Sequence, residues 1–335
     1  MMSFSETTVE LPPPLSSQTG WPFDTSRVSP DISAEELALL PAISIVTPSY
    51  QQGPFIEQTI RSILLQGYPK LQYIIMDGGS SDETVKIIKY YAEWVDYWES
   101  ARDKGQTDAI IRGWSKATGT LVAWLNSDDW YVEGALLKVG RAYVKNRGAN
   151  WIMGAVQNYK LGVNTSVITP KPMSLTDMMG SKNYCWHQPG MFWTKALIDE
   201  MGPLREDLHM GMDHEFFLRC LKKGHQPVFL EDILTVYRIH LDAKSTARIH
   251  EGVKECKATA AEYRSMVSDE EYKLIQENIR AMHAEYLIKI ANGFKARGQR
   301  GKALGYLLEH AYLIPHIQPM GLKQYIGALF RTAFR

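Results

Sequence analysis

From Ile43 onward the chain alternates between two hydrophobic rhythms. Ile43-Ser44-Ile45-Val46-Thr47 is a short, largely β-branched run closed by Pro48, the pattern of a buried strand stopped by a residue that cannot donate to a ladder. Ile56, Ile60, Ile63 and Leu64 then recur at helical spacing over residues 55–65. A second strand, residues 71–76, runs into Asp77-Gly78-Gly79, and a helix from about Glu83 puts Val85, Ile88, Tyr91 and Ala92 on one face. A short strand at 97–99, a helix over 107–116 and an apolar strand at 121–125 continue the alternation. Strands and helices joined by short loops predict right-handed βαβ units, hence an α/β fold with a mostly parallel, Rossmann-like sheet flanked by helices.

Beyond Asn146 the rhythm becomes mixed. Residues 151–159 and 163–169 read as a strand pair around Leu161-Gly162, 191–193 as a further strand, 213–222 as a helix, and 228–230 and 235–238 as two short strands. A helical tail follows from about Ala247. At the other end, residues 1–40 are rich in proline and serine without a sustained period, which predicts a flexible lead-in with a short helix over 34–40. The expected organisation is therefore a lead-in (1–40), a central domain (41–245, divided into halves 41–146 and 147–245) and a helical C-terminal extension (246–335).

Composition removes several classes of function. Lysine plus arginine equal aspartate plus glutamate at 37 each, so bulk charge gives no reason to expect a nucleic-acid partner. Three widely spaced cysteines, Cys185, Cys220 and Cys256, form neither a zinc motif nor a disulfide framework and read as free thiols of a reducing compartment. No signal-peptide pattern and no apolar run of about 20 residues is present, so the expectation is a cytoplasmic protein. Leu322, Tyr325, Ile326, Leu329, Phe330 and Phe334 form one stripe of a basic helix over 321–335. Such a helix suits peripheral contact with the inner face of a membrane, although packing against its own domain is the commoner fate.

Candidate chemistry collects where predicted strands end, which in open parallel sheets is where ligands bind. Thr47-Pro48-Ser49-Tyr50 offers hydroxyls and an aromatic face on which a base stacks. In Asp77-Gly78-Gly79-Ser80-Ser81-Asp82, the glycines admit a ligand close to the backbone; Asp77 suits a base N–H, and Asp82 reads as a capping or turn residue. Asp103-Lys104-Gly105-Gln106 opens the third helix. Asn126-Ser127-Asp128-Asp129-Trp130 is the sharpest cluster: two adjacent carboxylates beside an apolar strand repel unless a cation is present, and hard oxygens suit magnesium or manganese shared with phosphate. Helix capping accounts for such a pair equally well in isolation. Asp213, at the start of a helix, suits either capping or a base that accepts the proton of an attacking hydroxyl, its carboxylate held ionised by the helix dipole. His187 reads as structural unless proved otherwise, while His240, followed by Lys244 and Ser245, suits a diphosphate. Neither a Gly-x-Gly-x-x-Gly nor a Walker pattern occurs.

Taken in order, Thr47-Pro48-Ser49-Tyr50, Asp77-Gly78-Gly79-Ser80-Ser81-Asp82, Asp103-Lys104-Gly105-Gln106 with Asp108-Ala109, Asn126-Ser127-Asp128-Asp129, His187-Gln188-Pro189, Met212-Asp213 and Tyr237-Arg238-Ile239-His240 resemble the family 2 glycosyltransferases of GT-A fold over residues 43–245. The resemblance implies a nucleotide-sugar donor, a glycan or lipid-linked acceptor and an inverting transfer of the kind used in cell-surface polysaccharide synthesis. It implies a nucleoside pocket lined by Thr47, Pro48, Tyr50, Asp77 and Asp103, with Ser127 beside it. It also implies a manganese or magnesium ion on Asp128, with Asp129 and His240 as helpers, and Asp213 as the general base. Asn126 stands where the family's first metal-motif acid is expected, Ala101 where many relatives have glutamate, and Ile111 where many have asparagine. Two other readings remain open here, a catalytically silent nucleotide-sugar-binding scaffold and a sugar-phosphate nucleotidyltransferase. The latter calls for a basic glycine-rich loop near the N-terminus that the chain lacks.

Overall fold

The alternating rhythm materialises as a regular succession of elements. In chain order these are β1 (Val9–Glu10), β2 (Arg27–Val28), α1 (Ala34–Leu39), β3 (Ile43–Ser49), α2 (Ile56–Leu64), β4 (Leu71–Asp77), α3 (Thr84–Tyr90), β5 (Tyr97–Ser100), α4 (Gln106–Lys116), β6 (Leu121–Trp124), β7 (Trp130–Tyr131), α5 (Ala135–Lys145), β8 (Trp151–Lys160), β9 (Val163–Ile168), α6 (Leu175–Gly180), β10 (Met191–Thr194), α7 (Lys195–Met201), α8 (Met212–Lys222), β11 (Val228–Ile239), α9 (Ile249–Glu262), α10 (Asp269–Ala296) and α11 (Arg300–Glu309). The structure, a computed structural model, describes residues 9–28, 31–160, 162–180, 184–240, 244, 249–296, 298–309 and 327. The expectations for Ser245 and for the helix over 321–335, Gly327 apart, lie outside the described residues. No described helix is long and apolar enough to cross a membrane.

Two compact units emerge, interleaved along the chain rather than consecutive. The first takes residues up to 172, 185–207 and 223–239; the second takes 173–184, 208–222 and 240 onward. In the first, a nine-stranded sheet runs β5-β4-β3-β6-β10-β8-β11-β7, with β9 beside β8. Strands β5, β4, β3 and β6 are parallel, as the βαβ pattern predicts. Beyond them β10 enters antiparallel between β6 and β8, so the sheet as a whole is mixed.

Helices cover both faces of the parallel half, and every residue of β3 is buried. On one face Ile43 and Ile45 of β3 join Tyr73 and Ile75 of β4, Ile56 and Ile60 of α2, Ile88 of α3 and Val139 of α5 in a continuous apolar core. On the other, α4 approaches so closely that a Cβ on Gly113 would stand 2.3 Å from Val46 Cγ1. Trp124 of β6 stacks on Trp193 of β10 there, with ring centroids 5.1 Å apart.

Two strand predictions change. Strand β3 passes through Pro48, which pairs with Met76, and ends at Ser49 opposite Asp77. The ladder explains the tolerance. The carbonyls of Ala42 and Val46 face β6, where they accept from Leu121 and Leu125, so the even-numbered positions look that way. Pro48 falls on this side beyond the last β3–β6 pair, Val46 with Trp124, and its missing N–H costs no bond. The two short strands expected at 228–230 and 235–238 are one, β11, interrupted by register shifts between Phe229 and Thr235.

The lead-in also departs from expectation over residues 9–28, which are fastened to α2. Fully buried Arg61 donates to the carbonyls of Pro12 (2.9 Å), Pro22 (3.1 Å) and Thr25 (2.7 Å). Glu57, one turn earlier, accepts the Leu15 and Ser16 N–H groups at 2.6 and 2.8 Å and the Tyr91 hydroxyl at 2.7 Å. Between the short antiparallel pair β1–β2, a proline-rich segment thus satisfies its backbone with two buried charges.

The second unit is helical. Helix α6 packs on α8, α9 and α10, and α10 packs on α11. Phe216, Phe217 and Cys220 of α8 are buried with Met178 and Met179 of α6 and Ile275 and Ile279 of α10. All three cysteines are free thiols.

Candidate functional site

The carboxyl ends of β3, β4, β5 and β6 lie side by side, and their loops are bonded to one another. Asp77 closes β4 with a carboxylate turned into its own loop. Its Oδ2 accepts the N–H groups of Gly79 (3.1 Å) and Ser80 (2.9 Å) and the Ser100 hydroxyl from β5 (2.6 Å), while Oδ1 accepts the Ser80 hydroxyl at 2.5 Å. A carboxylate offers about four acceptor sites. The expected base N–H would therefore meet an Asp77 whose oxygens already take four internal bonds, a group that organises the edge.

Asp103, after β5, is half-buried, and its Oδ1 accepts the Gly105 N–H at 2.8 Å. Burial raises its pKa, and the charges of Asp108 and Asp77 add to the rise. Gly78 packs close beside it, since a Cβ there would stand 2.9 Å from Asp103 Oδ2. Thr47 is fully buried and accepts the Tyr73 hydroxyl at 3.2 Å; Pro48 is buried as well. Tyr50 differs, with 61% of its surface exposed just past the end of β3. The following loop is locked to the next: Gln51 N–H donates to the Ser80 hydroxyl (2.8 Å), Gln52 N–H to Thr84 Oγ1 (2.8 Å) and Gly53 N–H to Asp82 Oδ2 (2.9 Å). Asp82 is a turn residue just ahead of α3, whose N-cap is Glu83: burial alone would raise its pKa, but the Thr84 hydroxyl and the Gly53 and Thr84 N–H groups outweigh it and leave the carboxyl below its usual range.

In the loop after β6 the adjacent acids have separate fates. Asp129 is 1% exposed and its Oδ1 accepts the Arg238 N–H at 2.9 Å, while the Thr59 hydroxyl donates to its carbonyl at 2.6 Å. Burial, and after it the charge of Asp128, holds the Asp129 carboxyl well above the usual range. Asp128 is half-buried, and Ser127 is 4% exposed. Asn126 accepts from the Gln106 side chain of α4 at 2.7 Å, which ties this loop to the one after β5.

Arg238, near the end of β11, holds the loop from beneath. Its Nε donates to the Asp128 carbonyl at 2.9 Å and an Nη to Gln58 Oε1 at 2.5 Å. The guanidinium lies 4.6 Å from the centroid of Trp130, 4.8 Å from Phe55 and 5.6 Å from Tyr159, an aromatic box in which a delocalised cation is held by ring quadrupoles and by its acceptors together. Gln188 approaches from the other side and donates to the Trp124 carbonyl at 2.7 Å. Next to it His187 lies edge-on to Tyr237, ring centroids 6.0 Å apart, and burial pushes its pKa down to about 4, so it is a neutral imidazole.

Asp213 and His240 belong to the second unit. Asp213 stands in the first turn of α8, its Oδ1 accepting the His214 N–H at 2.7 Å. The expectation that the helix dipole lowers its pKa is reversed: burial raises it, against the pull of the His214 N–H and the charges of His214 and Lys244. His214 Nε2 lies 2.6 Å from the Met178 carbonyl. Among the described residues no group of three or more His, Cys, Asp or Glu side chains is arranged to hold a metal ion. Within its own loop, Asp129 joins β11 through Oδ1, while its buried Oδ2 takes no hydrogen bond from the described residues.

The profile of Glycosyl transferase family 2 matches residues 44–198, the span that carries these loops. This span of the chain is similar to glycosyl transferase family 2 throughout. This glycosyltransferase is 27% identical over 205 residues to TuaG of Bacillus subtilis, a protein named for teichuronic acid biosynthesis, covering 59% of this chain and 79% of TuaG. Among solved structures it is similar to S. aureus TarS 1–349 in complex with UDP-GlcNAc (TM-score 0.52, 14% identity, 87% of this chain and 88% of that one), and it spans 53% of the longer TarS chain. It is also similar to the mannosyltransferase PcManGT from Pyrobaculum calidifontis in complex with GDP-Man and Mn2+ (TM-score 0.53, 16% identity, 91% and 90%). At such identities these structures bear on the fold, which is of GT-A type.

Arg238, Gln106 and Gln188 have roles that motif reading did not assign, although each lies inside a quoted motif. A lone arginine in an apolar strand was the available signal for Arg238.

Proposed function

We propose that this glycosyltransferase moves a sugar from a nucleoside diphosphate sugar to a hydroxyl of a glycan or lipid-linked acceptor, with inversion at the anomeric carbon. The observation that carries the donor half is the continuous polar edge formed by the loops after β3, β4, β5 and β6, cross-linked through Ser100–Asp77 and Gln106–Asn126. The exposed Tyr50 ring offers a stacking face, and half-buried Asp103 offers a carboxyl with acceptor capacity left. The nucleotide-sugar complexes of TarS and PcManGT support this reading, and the name of TuaG supports a place in cell-surface polysaccharide synthesis.

Asp128 is the residue proposed to hold a divalent cation. The donor set fits: a single half-buried carboxylate at a strand end suits an ion that draws its other ligands from phosphate and water. Magnesium or manganese bound there would offset the charge of the leaving diphosphate. Ser127 would line the donor side of the same loop. His240 retains the metal role that the family resemblance gives it.

Asp213 is proposed as the base. The acceptor oxygen forms its bond to the anomeric carbon as the bond from that carbon to the phosphate oxygen breaks; the electron pair leaves with the diphosphate, and the hydroxyl proton goes to the Asp213 carboxylate. A carboxyl raised by burial is the stronger base once ionised. A lipid-linked acceptor would give the basic helix predicted over 321–335 an inner-membrane surface to lie on.

Calorimetry of UDP and GDP with manganese tests the donor half. Asp128→Ala is expected to weaken manganese-dependent binding of whichever nucleotide binds by at least about tenfold. Undiminished binding would remove Asp128 from the site.

A further inference from the structure

Helix α8, which carries Asp213, has no side chain of its own at its N-cap. Glu215 N–H bonds back to the Gly211 carbonyl at 2.9 Å, which makes Gly211 the cap residue, and glycine has no side chain to order the chain that enters the helix. That stretch is held from α9 instead. The Glu255 carboxylate takes three successive backbone N–H groups, His209 on Oε1 and Met210 and Gly211 on Oε2, each at 2.8 Å. Gly252, one turn before Glu255, lets α9 come close, since a Cβ there would stand 3.2 Å from Met210 Cβ.

We infer that Glu255 is a positioning residue for Asp213, resting on the assignment of Asp213 as the base. Three charge-assisted bonds from one rigid carboxylate fix the direction in which the chain enters α8. Asp213 is the second residue of that helix, and its Oδ1 is itself tied to the helix backbone through the His214 N–H. The orientation of its carboxylate is therefore set by the orientation of the turn, and the turn is set by Glu255. This gives the C-terminal extension, which lies outside the family match at 44–198, a part in the reaction. The extension supplies the acceptor that the acid-bearing loop lacks.

The test measures turnover and nucleotide binding on the full chain, using UDP-glucose, UDP-GlcNAc and GDP-mannose as donor probes with manganese and reading release of the nucleoside diphosphate. Glu255→Gln preserves shape but keeps only one acceptor oxygen; Glu255→Ala removes both. Turnover is expected to fall by roughly 10- to 100-fold in Glu255→Ala and less in Glu255→Gln, with the Kd for the manganese–nucleotide complex unchanged. In an Asp213→Asn background Glu255→Ala is expected to cost nothing further, because the group it positions is gone. Should Glu255→Ala fail to fold, Glu255→Gln alone carries the comparison. Full turnover in a folded Glu255 variant while Asp213→Asn is inactive overturns this inference, as does an undiminished loss from Glu255→Ala on top of Asp213→Asn. Full turnover in Asp213→Asn itself would overturn the assignment of the base instead.

Discussion

The polar edge of the first unit and the entering turn of α8 in the second solve one problem by different means. Along the edge, backbone N–H groups and hydroxyls find acceptors in the adjoining loop: Asp77 serves its own turn and β5, and Asp82 serves Gly53. At α8 the acceptor is Glu255, brought from α9. The difference teaches how to read an acid in a sequence. Asp77 takes two backbone N–H groups and two hydroxyls and Glu255 takes three backbone N–H groups, whereas Asp213 takes one, that of His214, in a turn held by Glu255. A carboxylate is available for chemistry when something else does its structural work.

The sharpest break between the two regions is expected from Asp213→Asn. It should lower turnover by about 10²- to 10⁴-fold and leave calorimetric nucleotide binding intact. Because the base must be ionised and burial raises its pKa above the ordinary 3.8, the acid limb of the rate profile should lie above the usual carboxylate range, with activity rising as pH rises through it. A limb at or below the usual range would contradict the buried base.

Next comes Arg61→Ala, which touches neither acid. It strands the carbonyls of Pro12, Pro22 and Thr25 and removes the buried bond to the Tyr91 hydroxyl, which itself donates to Glu57. A loss of about 3–5 kcal/mol in denaturant unfolding is expected. A loss below about 1 kcal/mol would mean that residues 9–28 are only loosely held.

Arg238→Met keeps the apolar contacts of the aromatic box but loses the bonds to the Asp128 carbonyl and to Gln58. Manganese-dependent nucleotide binding should weaken by about 10- to 100-fold. If turnover fell while binding held, the pin would belong with Asp213 rather than with Asp128. Asp129→Asn should give the smallest effect, a change in Kd within about threefold, since the amide oxygen still accepts the Arg238 N–H. A loss as large as that of Asp128→Ala would mark Asp129 as a ligand.

Much of the first unit was legible in the chain because its determinants are local. The apolar runs of β3, β4 and β6 and the helical spacing of α2 and α4 follow from period, and four polar clusters at successive strand ends follow from the rule that parallel sheets open at that edge. Even Asp82 was readable as a turn residue, because an acid two residues before a helix has a short list of uses. Where expectation failed, the deciding partner was distant. Pro48 looks like a terminator until the neighbouring strand is seen to end before it does. The prolines of the lead-in look disordered until Arg61 and Glu57 reach their backbone.

The sequence by itself determined the α/β alternation, the family resemblance and the identity of the candidate acids, because strand and helix periods and clustered motifs are written over a few residues at a time. Tertiary structure alone decided which of those acids is spent on the backbone. One oxygen of Asp129 is engaged by an N–H more than a hundred positions downstream, at Arg238. The carboxyl of Asp213 moved up where the helix dipole predicted down, because the desolvation of a carboxylate depends on what packs around it. Burial and hydrogen-bond saturation are properties of three-dimensional neighbours, and no spacing rule encodes them.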